Sequence, residues 1–147
     1  MNYGRLVLAA VVATVVDLCY GLGVFGMAFS NVFASAPAGV FRSVEQTTAR
    51  WPALVGGTLI GMLAATFIYA KGYEGKSGLG EGLRFGLLIG LLAAGYFSIA
   101  TSAVMNYGYR LAAIFAIANI PEWLLVGAFI GLIYKPAGAA QRAAAVR

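Results

Sequence analysis

Apolar and polar positions fall in blocks along this chain. Four long apolar stretches, residues 6–29, 52–70, 85–105 and 111–134, are divided by short polar segments. Each is long enough, at about 20 residues per crossing, to span a hydrocarbon core of roughly 30 Å. Only Asp17 and Glu122 place a formal charge inside them. Lipid offers no partner to an open backbone, and the alternating ten-residue pattern of barrel strands is missing, so the stretches predict helices. The expected fold class is all-α: a four-helix transmembrane bundle forming a single membrane domain over residues 1–136, with an Ala-rich C-terminal tail, 137–147, expected to be frayed.

Composition sharpens this reading. A chain that is 61% hydrophobic and 10% charged, with a mean hydropathy of +0.86, lies far outside the range of soluble domains and reads as an integral membrane protein whose partner is the lipid bilayer. The net charge of +5 would suit nucleic acid if the cations formed a patch, but they lie at the span boundaries, and no nucleic-acid partner is expected. Arg5, Lys71, Lys76, Arg84, Lys135, Arg142 and Arg147 fall at the termini and the second loop; Arg42, Arg50 and Arg110 fall in the first and third. The positive-inside rule then places both termini and the 71–84 loop in the cytoplasm, in a multi-pass protein of the cell's inner (cytoplasmic) membrane. Tyr3, Tyr69, Tyr73 and Tyr134 would form the cytoplasmic aromatic belt, with Trp51, Tyr107 and Tyr109 the outer one. The first apolar stretch is too long for a signal-peptide core, so it is expected to remain as a span.

The first loop, 31–50, contains "SVEQTTARW", in which Ser43 and Gln46 have the spacing of a capping box. A short interfacial helix is expected there, in the first outer loop, with Phe41, Val44 and Trp51 against the membrane. The second loop, "KGYEGKSGLGEG", reads as a glycine-rich turn; it lacks the spacing and the strand-turn-helix context of a phosphate-binding loop. Glycines recur four apart as Gly57/Gly61, Gly86/Gly90 and Gly127/Gly131, the pattern that lets transmembrane backbones approach closely.

There is no histidine, so the commonest ligand of haem, zinc and copper is missing, and so is the base of a Ser-His-Asp or Cys-His site. The one cysteine, Cys19, can form no internal disulfide and reads as a packing residue. No catalytic residue, metal site or cofactor is expected, and the chain does not read as an enzyme.

The two intramembrane acids remain. Asp17 stands twelve residues after Arg5, about 18 Å at 1.5 Å per residue. Glu122 stands twelve after Arg110, so both carboxyls reach mid-membrane from opposite sides. The same count brings Tyr96 to that level. Tyr20 lies one turn from Asp17, and Asn119 three residues from Glu122 beside Pro121, which can kink the helix and free a carbonyl. A polar cluster of Asp17, Tyr20, Tyr96, Asn119 and Glu122 is therefore expected, extended outward by Ser98, Thr101 and Ser102. No lysine or arginine lies deep enough to neutralise either acid, so each must face protein or a wet cavity and share hydrogen bonds with its neighbours.

"YAKGYEGKSGLGEGLRFGLLIG" (69–90) and "EWLLVGAFIGLIYKP" (122–136), on a four-span frame, resemble small bacterial four-helix integral membrane proteins of unknown function. That resemblance implies a fold and a location, and no activity. Small multidrug transporters also have four helices with an acid in the first, but this chain departs from them in its second acid, its long outer loop and the surroundings of Asp17. The expected function is that of a non-catalytic membrane subunit or helper protein, packing through its glycine faces into a homodimer or a larger membrane complex. The alternative is a small proton-coupled transporter of a cationic or amphipathic compound, using Asp17 and Glu122.

Overall fold

A computed structural model describes residues 1–34, 36, 38–75 and 77–134. Lys76, Lys135 and the expected tail lie outside the described residues. The described chain is helical. α1 (Tyr3–Gly21) opens on Asn2, whose Oδ1 accepts from Arg5 N at 3.2 Å, and runs on into a wider, π-helical stretch, Leu22–Ala28. Two short helices follow, α2 (Ser30–Ala34) and α3 (Val44–Thr48). The capping box predicted for α3 forms: Ser43 Oγ accepts from Gln46 N at 3.2 Å, and Ser43 N donates to Gln46 Oε1 at 3.4 Å. α4 (Trp51–Gly72) has Pro52 in its first turn, where a missing N–H costs nothing. α5 (Gly78–Leu92) also widens into a π-helical stretch, Ala93–Ala100, and α6 (Gly108–Ile133) passes through Pro121 unbroken. Four of these rods, Tyr3–Ala28, Trp51–Gly72, Gly78–Ala100 and Gly108–Ile133, are long and apolar enough to cross a membrane.

Their side-to-side order is α4, α1, α6, α5. α5 lies along α6, α6 along α1, and α1 along α4, whereas α4 and α5 meet chiefly beside the turn that joins them. α1 is bordered by the small side chains of Ala9, Ala10 and Ala13, all fully buried, so its neighbours come close. Behind them sits a core of Leu6, Met62, Tyr69, Val126, Ile130 and Tyr134. Tyr69 and Tyr134, expected in an outward-facing belt, are buried instead. Their rings meet edge to face at 6.0 Å, Tyr69 also meets Phe85 edge to face at 5.4 Å, and its hydroxyl donates to Gly78 O at 3.3 Å.

The third span begins seven residues earlier than its hydropathy predicts. Gly78, Gly80 and Gly82, expected in a turn, are the first turns of α5, with Ser77 as N-cap. Glycine is a poor helix former in isolation. Here packing overrides that preference, because a Cβ added at Gly78, Gly82 or Gly86 would overlap the α6 backbone at Gly131, Gly127 and Trp123 respectively, and one at Gly90 would crowd Ile120 Cα at 3.2 Å. The predicted Gly86/Gly90 and Gly127/Gly131 pairs are thus parts of one longer ladder. Gly57 and Gly61 differ: no described atom lies within 4 Å of the Cβ position at either.

Thr66 on α4 is fully buried, and its Oγ1 has no hydrogen-bond partner among the described residues. Thr66→Val keeps the shape and removes the unsatisfied hydroxyl, so it should stabilise the protein by about 1 kcal/mol. Thermal unfolding of the detergent-solubilised variant measures this, and a lower midpoint than wild type would refute it.

Candidate functional site: a carboxyl pair between the first and last spans

Asp17 reaches the interior because of where it falls on α1. It continues the buried series Ala10, Ala13 at helical spacing, so the face that packs against α6 carries it inward. On α6 the residues Ala118, Glu122, Val126 and Ile130, each four apart, form the stripe that meets α1. Glu122 is only 8% exposed. The two carboxyl groups face each other across the α1–α6 seam, close enough to interact. A hydrogen bond between them would need a proton on one of the two groups, which would donate to the other. One turn on, Tyr20 OH donates to Ala118 O at 2.9 Å and ties the same helices together. Ala118 neighbours Ile117, the carbonyl whose usual i+4 donor Pro121 lacks.

Asn119 does not join this pair. Three residues from Glu122 is about 60° round the helix, enough for it to face a different neighbour. Its Nδ2 donates to Ser98 Oγ on the π-helical part of the third span at 3.0 Å and to Phe115 O at 2.8 Å. Ser98 is the centre of a second polar cluster: Tyr107 OH donates to Ser98 O at 2.7 Å and lies 2.6 Å from Thr101 Oγ1. Tyr107, expected in an interfacial belt, is a member of this cluster, and nothing in its sequence position signalled that. Ser102 bonds locally, to Ile99 O at 2.6 Å. Tyr96 is 64% exposed and rests edge-on against Phe97, apart from both carboxyls. Residue counting bears on its level along the helix and says nothing of azimuth, and α5 is turned by its glycine face toward α6.

Beyond Tyr20, five further rings, Phe25, Phe33, Phe41, Tyr107 and Phe115, form one aromatic cluster. Phe25 meets Tyr20 at 6.5 Å and Phe115 at 5.6 Å, Phe33 meets Phe41 at 4.8 Å, and Tyr107 meets Phe115 at 6.1 Å. The wide-turn segment Leu22–Ala28 aims Phe25 into this cluster. Wider turns of this kind recur at functional sites.

No protein-family model matches the chain, and neither does any curated protein or solved structure. What the site can do is therefore read from its own chemistry. Two carboxyls paired in a low-dielectric seam can share a proton and so fasten two helices, or can exchange such a proton for a cation.

Proposed function

We propose that the chain is a non-catalytic membrane subunit or helper protein that docks on a second copy of itself or on a larger membrane complex through the first half of α4. In this reading it sits in the inner (cytoplasmic) membrane with both termini and the turn between α4 and α5 in the cytoplasm, and with α3 lying on the outer membrane surface. The observation that supports it is the contrast between two glycine stripes of equal spacing. The one on α5 is closed by α6, whereas Gly57 and Gly61 are uncovered by the described chain and no residue from Trp51 to Gly61 is buried. Small-xxx-small stripes on transmembrane helices are packing faces.

Purification from native membranes in mild detergent should recover the protein with companions or as a dimer, and Gly57→Leu with Gly61→Leu should release it. A strictly monomeric wild type without companions would sink the reading. The orientation has its own check. Ser43 and Ser77 are both exposed, and Ser43→Cys should label from outside the cell while Ser77→Cys should not; the reverse pattern would invert the topology.

One observation favours a second reading. The contact between Asp17 and Glu122 suits a proton-coupled carrier of a small cationic or amphipathic compound, in which the cation displaces the shared proton. Uptake or binding should lose its pH dependence in Asp17→Asn and Glu122→Gln, and unchanged behaviour in both variants would remove the idea.

A further inference from the structure

The α4–α5 seam opens into a cleft of about 230 Å³ beside the connecting turn, lined chiefly by Ile68 and Tyr69 of α4, Glu74 of the turn, and Arg84, Phe85 and Leu88 of α5. Its polarity is graded along the helix axis. Glu81 and Arg84 stand within the first two turns of α5, and Phe85 and Leu88 follow. From residue 81 to 88 the rise is about 10 Å. In a spanning helix that is the distance from headgroup level into the hydrocarbon. The apolar end is open sideways, with Ile68 56% and Leu88 67% exposed, so whatever fills it enters from the lipid.

The polar end carries both signs of charge. The Arg84 guanidinium, its side chain 72% exposed, stands 3.9 Å from a carboxylate oxygen of Glu74. That contact engages Nη1, one of the nitrogens of a five-donor group. Glu81 is turned inward, its Oε2 accepting from Glu74 N at 3.1 Å. An anionic headgroup would gain Arg84 but meet the Glu74 carboxylate beside it. A headgroup with a phosphate and a primary ammonium matches the rim on both counts, the phosphate accepting from Arg84 and the ammonium donating to Glu74. A quaternary ammonium, having no N–H, could not make the second bond.

We infer that this cleft is a binding site for an aminophospholipid of the surrounding leaflet, with the phosphate on Arg84, the ammonium on Glu74 and the start of one acyl chain between Ile68, Phe85 and Leu88. The site is separate from the carboxyl pair and from the glycine face of α4, and it stands whichever function the chain has.

Native mass spectrometry of the full chain in mild detergent, titrated with palmitoyl-oleoyl phosphatidylethanolamine, phosphatidylcholine and phosphatidylglycerol, tests it. Phosphatidylethanolamine should be retained about three- to fivefold over each of the others, the scale of one exposed charge pair. Glu74→Gln should bring it down to the phosphatidylcholine level, Arg84→Ala should lower both, and Leu88→Trp, filling the apolar end, should lower all three. Glu74 and Arg84 lie on the surface, so the fold is not at stake in those variants. Equal retention of the three lipids, a preference for phosphatidylglycerol, or a preference that survives both Glu74→Gln and Arg84→Ala would overturn the assignment.

Discussion

Gly86→Val unseats α5 from α6. A Cβ at Gly86 would overlap the Trp123 carbonyl, and the same contact seen from α6 would press Gly127 onto Gly86. Both obstacles are helix backbone, which cannot swing aside as a side chain can. Overpacking an ordinary core costs about 1–3 kcal/mol, with larger values where nothing can yield, and at least about 3 kcal/mol is expected here. Gly82→Val and Gly127→Val should behave alike, since they enter the same ladder. Gly57→Ala and Gly61→Ala are the internal controls, because their Cβ positions meet no described atom within 4 Å. Thermal unfolding in detergent should separate the two sets widely. A Gly86→Val protein as stable as Gly57→Ala would show that the α5–α6 seam is not held at this distance.

The carboxyl pair should respond as a pair. Asp17→Asn keeps a hydrogen-bonding group against Glu122 and should leave the bundle folded. Asp17→Leu leaves Glu122 buried without its partner, a loss of about 1–3 kcal/mol, and Glu122→Leu does the same to Asp17. The double Leu variant removes both groups and should recover part of that loss, since a buried polar pair replaced by apolar side chains is often neutral or better. A double-mutant cycle in detergent unfolding reads the coupling. Purely additive losses would mean that the two carboxyls do not depend on each other, and both the fastener and the proton-exchange readings would fall.

Hydropathy alone was enough to read four helices long and apolar enough to cross a membrane, because in lipid a long apolar run has few other ways to satisfy its backbone. The capping box at Ser43 was legible for a similar reason: both partners lie three residues apart, and no distant contact is needed to form it. Counting residues against boundary charges led to the expectation that Asp17 and Glu122 share one level. Their meeting did not follow from that count, since azimuth depends on which faces pack. That was decided by the small-residue stripes, Ala10 and Ala13 turning Asp17 toward α6 and the glycine ladder turning α5 so that Tyr96 points away. The same ladder drew Gly78, Gly80 and Gly82 into a helix that local propensity denies them, and it set Asn119 against Ser98 rather than against Glu122. Length, apolarity and local caps are properties of a single segment and can be read from it. Register and facing are properties of pairs of segments, and only the packed molecule holds them.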